Sequence, residues 1–233
     1  MGEANVELLD RPVYGMSQAA RLLGLRVDGL RRWIDGYERQ GTGYAPVIRE
    51  RRTGVDLVTW GEFIEAGYLR EYRAKKVSLQ YLRPVIGLMR ERFNVQYPLA
   101  TLRPYTSGKR LALEVQELVG LDPELRIVIM GRDGSLQLAD SAAAFLDKVE
   151  FTDASGIAGR LFPLGRKKPI VLDPDRSFGE PTVPSGVRTD ILAELIAAGE
   201  DPVHVAEIYS MPVEHVRSAV AYERSRGTLA NAA

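Results

Sequence analysis

The chain has 233 residues and carries 31 Lys and Arg against 31 Asp and Glu, so its formal net charge is zero. Its hydrophobic fraction of 45% and charged fraction of 27% are typical of a globular protein, and its length allows two or three small domains. No stretch approaches the roughly 18 uninterrupted apolar residues of a membrane span, and residues 1–10 lack the basic start and apolar core of a signal peptide, so we expect neither.

The sequence contains no Cys and only two His, His204 and His215. The absence of Cys excludes disulfides, thiolate metal sites and thiol nucleophiles, and it fits a reducing cytoplasm. Two histidines supply little material for a metal centre or a catalytic triad. We therefore expect no metal ion, no cofactor and no catalytic residues, and an enzyme is the least favoured class of function.

The zero net charge hides an uneven distribution. Residues 11–55 carry nine Lys and Arg against four Asp and Glu, and residues 70–92 carry seven against two. Residues 100–165 and 166–233 each have a net charge of −2. Because nucleic acid responds to local potential, this basic front third predicts contact with phosphate at that end of the chain.

Residues 14–40 are predicted to form two short helices joined by a tight turn. Ser17 is expected to cap the first helix and Gly24 to end it in a left-handed conformation. From about Val27, the second helix has an inward apolar stripe, and its arginines fall largely outside that stripe. An exposed helix rich in guanidinium groups suits the DNA major groove; the alternative is an ordinary amphipathic helix pair with a solvated basic face.

Residues 15–37 resemble the helix-turn-helix of MerR-type regulators. The resemblance rests on Ala20 in the first helix, on Gly24 four residues later, and on the Leu-Arg pair and following aromatic residue of the second helix, namely Leu30, Arg31 and Trp33. It implies that the second helix is a recognition helix. The DNA contacts predicted on this helix pair are Ser17, Gln18, Arg26, Arg31 and Arg32.

A β-hairpin is predicted next, because residues 47–51 and 55–59 alternate in hydrophobicity around Thr53-Gly54. A hairpin after a recognition helix would be a wing, and its predicted contacts with phosphate or the minor groove are Arg49, Arg51 and Arg52. The alternative is a solvated hairpin whose charges only protect its edges.

Two further helices are predicted to complete the front domain. Thr59 and Glu62 have the spacing of a capping box, and Ser78 is expected to cap a helix over residues 79–93 with Pro84 in its second turn. The order of helix pair, wing and helices resembles the MerR-like winged domain, and we assign it to residues 1–98.

Residues 99–165 are predicted to form a small α/β region with a central sheet. We expect strands on both sides of Ser107-Gly108 within residues 102–116, a hairpin around Asp133, and an extended piece over residues 146–151. Unpaired strands would favour a contact within a homodimer. The Gly-containing segments of this region lack phosphate-loop spacing, so nucleotide binding is not expected.

The last part, residues 166–233, is predicted to be helical. It starts in an exposed linker with the basic run Arg166 to Lys168, followed by a helix over residues 190–198, a second helix opened by Asp201-Pro202, and a third over residues 213–224. The last two form a second helix-turn-helix pattern. Its outer face carries mixed charges that do not favour phosphate.

Residues 169–223, including LDPDRSFGEPTVPSGVRTDILAELIAAGEDPVHVAEIYSMPVEHVRSAVAYE, are similar to the domain of unknown function number 433, common in bacterial antitoxins. Together with the MerR-like front, the chain resembles VapB-type antitoxins, whose partners are PIN-domain ribonuclease toxins. The resemblance implies a cytoplasmic homodimer that binds double-stranded promoter DNA and neutralises such a toxin. The toxin contacts considered are Arg217, Arg224 and Arg226, because guanidinium groups pair with the carboxylates of a PIN nuclease; the alternative is a solvated C-terminus.

The predicted fold is therefore mainly α with small β-sheets, an α+β protein in three parts: residues 1–98, 99–165 and 166–233. The predicted function is that of a type II antitoxin that also regulates its own promoter. The alternative is a MerR-like transcriptional regulator that senses a small molecule through residues 99–165.

Overall fold

The computed structural model describes residues 8–74, 82–101, 109–121, 126–130, 132–152 and 155–231. Helices predominate, and the strands are short and paired in twos. This architecture confirms the prediction of a mainly helical α+β fold. The chain divides into two compact units: the first comprises residues 1–147 and 151–158, and the second comprises residues 148–150 and 159–233.

The elements follow one another along the chain with short connections. Up to residue 59 they are β1 (Pro12–Gly15), α1 (Met16–Leu23), α2 (Val27–Asp35), β2 (Tyr37–Arg39), β3 (Thr42–Tyr44) and β4 (Leu57–Thr59). They continue with α3 (Trp60–Ala74), α4 (Leu82–Phe93), α5 (Lys109–Leu118), β5 (Val128–Met130), β6 (Leu136–Leu138), α6 (Asp140–Leu146), β7 (Val149–Phe151) and β8 (Ala158–Leu161). The last helices are α7 (Thr189–Ala197), α8 (Pro202–Ile208) and α9 (Val213–Asn231).

The strand pairs β1 with β4, β2 with β3, and β5 with β6 are antiparallel, and β7 pairs with β8. Across the described ranges, no helix combines the length with the hydropathy that crossing a bilayer requires.

Helix starts were predicted with mixed success. The capping box before α3 is confirmed, because Thr59 Oγ1 accepts from the Glu62 backbone N–H at 3.2 Å and Glu62 Oε2 accepts from the Thr59 N–H at 3.0 Å. The Ser17 cap is wrong, since α1 begins at Met16 after Gly15. The reason is the β1–β4 pairing, which continues into a hydrogen bond from the Met16 N–H to the Asp56 carbonyl at 2.9 Å and so sets where the helix begins.

The hairpin predicted over residues 47–59 is also wrong. Val47 and Ile48 are both buried, and both donate their backbone N–H to the Trp33 carbonyl, at 2.8 and 2.9 Å. Two consecutive inward residues cannot belong to an alternating strand. β4 pairs with β1 instead, and the hairpin of this region is β2–β3, which follows α2 directly.

In the middle of the chain, the second predicted strand of residues 102–116 is wrong from residue 109 onward, because these residues form helix α5; residues 102–108 lie outside the described part. The fully buried Gln116 anchors α5: its side chain accepts from the Ile127 N–H at 2.6 Å and donates to the Val128 carbonyl at 2.9 Å. The hairpin around Asp133 is confirmed as β5–β6. The extended piece is confirmed only for β7, since α6 occupies residues 140–146.

The predicted helix after Ser78 is described only from Leu82, as α4; Ser78 itself lies outside the described residues. The core of the first unit forms around Trp60, which is fully buried at the start of α3 and donates its indole N–H to the Ala158 carbonyl at 2.7 Å. The rings of Tyr14 and Phe63 pack beside it, with centroids 4.6 Å apart. These aromatic side chains pack α3 against β1 and thereby support the positions of α1 and α2.

Most of the helix boundaries predicted in the second unit are confirmed. The Asp201 carboxylate accepts from the backbone N–H groups of Val203 and His204, at 2.8 and 3.2 Å, and Pro202 opens α8. Gly199 follows α7 with φ of +100°. Val203, at the start of α8, is half exposed. The buried core of this unit is formed by Ile170, Val183, Leu192, Val205, Ala206, Met211, Val216, Ala219 and Tyr222.

Candidate nucleic-acid interface

The turn between α1 and α2 positions the candidate interface. Gly24 adopts the predicted left-handed conformation, with φ of 63° and ψ of 39°. Its N–H donates to the Arg21 carbonyl at 3.1 Å, and the Leu25 N–H donates to the Ala20 carbonyl at 2.9 Å, which closes the end of α1 within two residues. The second helix then begins at Val27, as predicted, and buries Leu30 and Ile34 in the core.

The opposite face of α2 is exposed and carries Arg31 and Arg32. Arg31 forms an ion pair with Asp56, and the two side chains are 44% and 62% exposed. Arg32 lies over the ring of Tyr37, with its guanidinium carbon 5.2 Å from the ring centroid. An exposed ion pair contributes roughly 0–1 kcal/mol, so a phosphate or a base edge can replace Asp56 at little cost.

A surface depression of about 310 Å³ follows the exposed face of α2. We call it the α2 depression; it is lined by Asp28, Arg31, Arg32, Gly36, Tyr37, Glu38 and Arg52. Three predicted DNA contacts, Arg31, Arg32 and Arg52, therefore meet on one side of the first unit. Arg52 is 64% exposed, with its Nε 4.0 Å from a carboxylate oxygen of Asp35.

Arg49 is not available for the contact that the sequence predicted. Its side chain is 10% exposed, and its guanidinium donates to Glu62 at 2.6 Å, to the Leu57 carbonyl at 2.7 Å and to the Val55 carbonyl at 3.0 Å. It also pairs with Asp35 at 3.2 Å. All these bonds are internal, so the geometry corrects the prediction: Arg49 fastens the segment after α2 to the start of α3.

Asp35, at the end of α2, is the second part of this network. Its buried carboxylate accepts from the backbone N–H groups of Thr53 and Gly54, at 2.6 and 2.9 Å. Burial disfavours the charged form, but the bonds from Thr53, Gly54 and Arg49 outweigh that effect and lower the pKa of Asp35 below its ordinary value. The charged carboxylate thereby holds residues 53–54 beside α2. An acidic residue in an inward position before Gly36 was the available sequence signal.

The hairpin β2–β3 also escaped prediction. Gln40 and Gly41 form its two-residue turn, both with positive φ, of 52° and 76°. Tyr37 and Tyr44 face each other across the ladder with stacked rings, 4.5 Å between centroids. Arg39 is exposed next to the turn, which makes it a candidate contact. The sequence signal for this hairpin is the pair Gln40-Gly41 between Tyr37 and Tyr44. The several glycines of this segment instead suggest an irregular break.

Gly36 permits the sharp passage from α2 into this hairpin. Its φ is +73°, and an added Cβ would overlap the Tyr44 carbonyl oxygen. The orientation of the hairpin relative to α2 therefore depends on a residue without a side chain.

The other predicted DNA contacts lie outside the α2 depression. Ser17 is exposed and Gln18 half-buried on α1, Arg26 is exposed immediately before α2, and Arg51 is exposed in the following segment. These four residues are close in sequence to residues that line the α2 depression, but they do not line it themselves.

Part of the basic charge of residues 70–92 serves the fold. Arg83 donates to the carbonyls of Ala45 and Pro46, the latter at 2.6 Å. Arg90 donates to the carbonyls of Ile48 and Gln96, the latter at 2.7 Å. These bonds stabilise the segment after the β2–β3 hairpin. Fewer cations of residues 70–92 can therefore face a ligand than their charge count suggests.

Glu65 lies in the same area and is fully buried. Burial raises its pKa to about 7, against the opposing effects of Arg90 and of the Leu99 backbone N–H, which donates to it at 3.1 Å.

The candidate toxin contacts all lie on α9 in the second unit. Arg217 and Arg224 are exposed, and because they are seven residues apart they share one face of the helix. Arg226 lies on roughly the opposite face, with its guanidinium carbon 5.0 Å from the centroid of the Tyr222 ring. The structure thus groups two of the three candidates.

Comparison with known proteins finds similar chains in Mycobacterium tuberculosis. No protein-family model matches the chain. The crystal structure of Rv2018 from Mycobacterium tuberculosis aligns with a TM-score of 0.73 at 25% sequence identity, covering 91% of this chain and 99% of that one. The candidate antitoxin VapB45 of the same organism is 27% identical, over 94% of this chain and 97% of its own.

A higher identity is found with a second full-length relative. The uncharacterized protein Rv2308 of Mycobacterium tuberculosis is 34% identical over 222 residues, which cover 93% of this chain and 92% of that protein. With this identity sustained along nearly the whole of both chains, the protein belongs to the same family as Rv2308.

Proposed function

We propose that the protein is an antitoxin-type regulator that binds double-stranded operator DNA through the exposed face of α2. The observation that carries this proposal is the α2 depression, where Arg31, Arg32 and Arg52 converge beside a helix that the major groove can admit. The similarity to candidate antitoxin VapB45 along nearly the whole of both chains supports a role in a toxin–antitoxin pair.

In this proposal, α1 and α2 act as a MerR-like helix-turn-helix within residues 1–98, with α2 as recognition helix. The hairpin β2–β3 takes the role of the wing in place of residues 47–59, and Arg39 joins the contacts while Arg49 leaves them. On binding, a phosphate or a guanine edge replaces Asp56 as the partner of Arg31. Residues 99–165 remain the candidate homodimer contact.

We propose that residues 166–233 bind the toxin and act like the domain of unknown function number 433 of bacterial antitoxins. Arg217 and Arg224 would pair with the metal-binding carboxylates of a PIN-domain ribonuclease. Three large aliphatic side chains exposed on α7 and α8 would supply apolar contact area: Ile191, Val203 and Ile208, with exposures of 39%, 50% and 61%. The protein itself then performs no catalysis.

The test is a nuclease-protection footprint of the DNA upstream of the gene, with the purified protein alone and with the adjacent gene product. We expect a protected segment of limited length and a nuclease that copurifies. A uniform, sequence-independent footprint together with the absence of a copurifying nuclease would reject both parts of the proposal.

A further inference from the structure

The second unit contains a basic pocket that the function proposed above does not use. The pocket has a volume of about 390 Å³. Its lining includes five cationic side chains and one acidic one: Arg160, Arg166, Lys167, Lys168, Arg176 and Asp173. We call it the basic pocket.

The carboxylates near the basic pocket do not cancel its charge. Asp173 is 7% exposed and is shared between Arg160, at 2.8 Å, and Arg176, at 3.7 Å. Glu150 pairs with Arg160 at 3.1 Å. Counting both carboxylates against the five cations of the lining leaves a local excess of positive charge.

Two of these cations have no internal role. Lys167 and Lys168 are exposed, and neither side chain has a hydrogen-bond or ion-pair partner among the residues that the structure describes. Arg166, by contrast, donates to the Val149 carbonyl, which fixes the start of the basic run. Two ammonium groups on an anchored loop are therefore available to an anion.

The charge is local to this pocket. Residues 159–188 contain six Lys and Arg against three Asp and Glu, whereas residues 189–233 contain three against seven. A basic area on an otherwise acidic unit raises the local concentration of anions.

Phe178 supplies a second observation of a different kind. Its side chain is 91% exposed, two residues after Arg176. Phe178 and the preceding Ser177 both have positive φ, of 54° and 48°, a conformation that residues with side chains rarely adopt. Strain of this kind is concentrated at functional sites, and an exposed aromatic ring is a stacking platform for nucleobases.

We propose that the basic pocket binds a backbone phosphate of a single-stranded nucleic acid, with Phe178 stacking on a base of the same strand. Lys167 and Lys168 provide the charge, and Arg176 links the pocket to the aromatic turn. This site is independent of the α2 depression, because its residues all belong to the second unit.

The first experiment measures binding of a fluorescent single-stranded oligonucleotide of arbitrary sequence to the full-length protein as a function of salt. Each lost phosphate contact lowers the slope of log K against log salt by about 0.7. Because both lysines are proposed to hold the same phosphate, Lys167→Ala with Lys168→Ala should reduce the magnitude of the slope by about 0.7. The charge-matched control, Arg110→Ala with Arg132→Ala, removes two exposed cations of the first unit that lie outside its basic front third, and it should leave the slope unchanged.

The second experiment tests the ring. Phe178→Ala should weaken binding roughly ten-fold, as loss of one stacked base predicts, and Phe178→Trp should preserve it. All variants are repeated in an Arg31→Ala, Arg32→Ala background. If the two effects persist there, they belong to the basic pocket whatever the fate of the operator-binding proposal.

A titration with inorganic phosphate distinguishes the source of the phosphate group. We expect the backbone amide signals of Gly165 to Lys168 to shift on addition of the oligonucleotide at far lower concentration than on addition of inorganic phosphate. A shift with inorganic phosphate alone would indicate a free phosphate or nucleotide as ligand and overturn the nucleic-acid assignment. An unchanged salt slope for the double lysine variant would overturn the site itself.

Discussion

Asp35 is the residue on which the geometry of the candidate interface depends most. One buried carboxylate holds the backbone of Thr53 and Gly54 and part of the Arg49 guanidinium. From the sequence, Arg49, Arg51 and Arg52 were equivalent members of one basic cluster. Only the fold separates them, because the partners of Arg49 lie 14 and 13 residues away, in Asp35 and Glu62.

Replacing Asp35 by Asn should lower the free energy of unfolding by about 2 kcal/mol or more, since a buried guanidinium loses one of its charged partners. The pKa of Asp35 is lowered in the folded state, so its contribution to stability is present above the ordinary Asp pKa and is lost as the pH falls through the lower, folded value. Urea unfolding at several pH values checks both points. A variant as stable as the parent at neutral pH would show that the network contributes nothing.

Glu65 should produce the opposite pH dependence. Its pKa is raised from 4.5 to about 7, so between these values the folded state binds a proton that the unfolded state has released. The free energy of unfolding should therefore fall as the pH rises from 4.5 to about 7, by up to about 1.4 kcal/mol per pH unit. Glu65→Gln removes this slope. Parallel stability curves for parent and variant over that pH interval would contradict the assignment.

Among the elements, the hairpin β2–β3 shows most clearly where pattern reading succeeds and fails. Local signals with fixed spacing were read correctly: the capping box of Thr59 and Glu62, the left-handed Gly24, and Asp201 before α8. Their geometry is decided within four residues. Alternation wrongly predicts a hairpin over residues 47–59, because it cannot reveal that the backbone N–H groups of Val47 and Ile48 both donate to the Trp33 carbonyl. It also predicts a strand where α5 lies, because a short apolar run fits either period.

The position of the hairpin can be tested through its glycines. Gly36→Ala should lower stability by roughly 2–3 kcal/mol, because it combines a positive φ with overlap against the Tyr44 carbonyl. Gly41→Ala is the matched control: its φ is +76°, but nothing lies within 4 Å of an added Cβ, so only the conformational cost of about 1 kcal/mol remains. Equal losses for the two variants would contradict the described path of the chain after α2.

At the scale of the whole molecule, each unit carries a candidate site of its own: the α2 depression in the first unit and the basic pocket in the second. The fold class and most of the helices could be predicted from composition and periodicity, because a helix depends mainly on the pattern of residues close together in sequence. The α2 depression and the basic pocket could not, since each joins side chains from separate segments, as in Arg52 beside α2 or Arg160 beside Arg176. The sequence indicated which residue types were available, and the fold decides which of them meet.

The proposed partner of the second unit makes a separate prediction. Arg217→Glu with Arg224→Glu, on the shared face of α9, should abolish neutralisation of the cognate nuclease, because the reversed charges repel its carboxylates. Growth on coexpression with the nuclease measures the effect, and Arg92→Glu with Arg110→Glu serves as the charge-matched control. Full rescue by the α9 variant would exclude these arginines from the toxin contact.

The exposed arginines of α2 are proposed to read operator DNA. The most direct test is a fluorescence anisotropy titration of the promoter segment with the parent protein, with Arg31→Ala and with Arg32→Ala. We expect each variant to lose about 1–3 kcal/mol of binding free energy for the operator and much less for an unrelated duplex. Operator affinities identical to that of the parent in both variants would contradict the proposal.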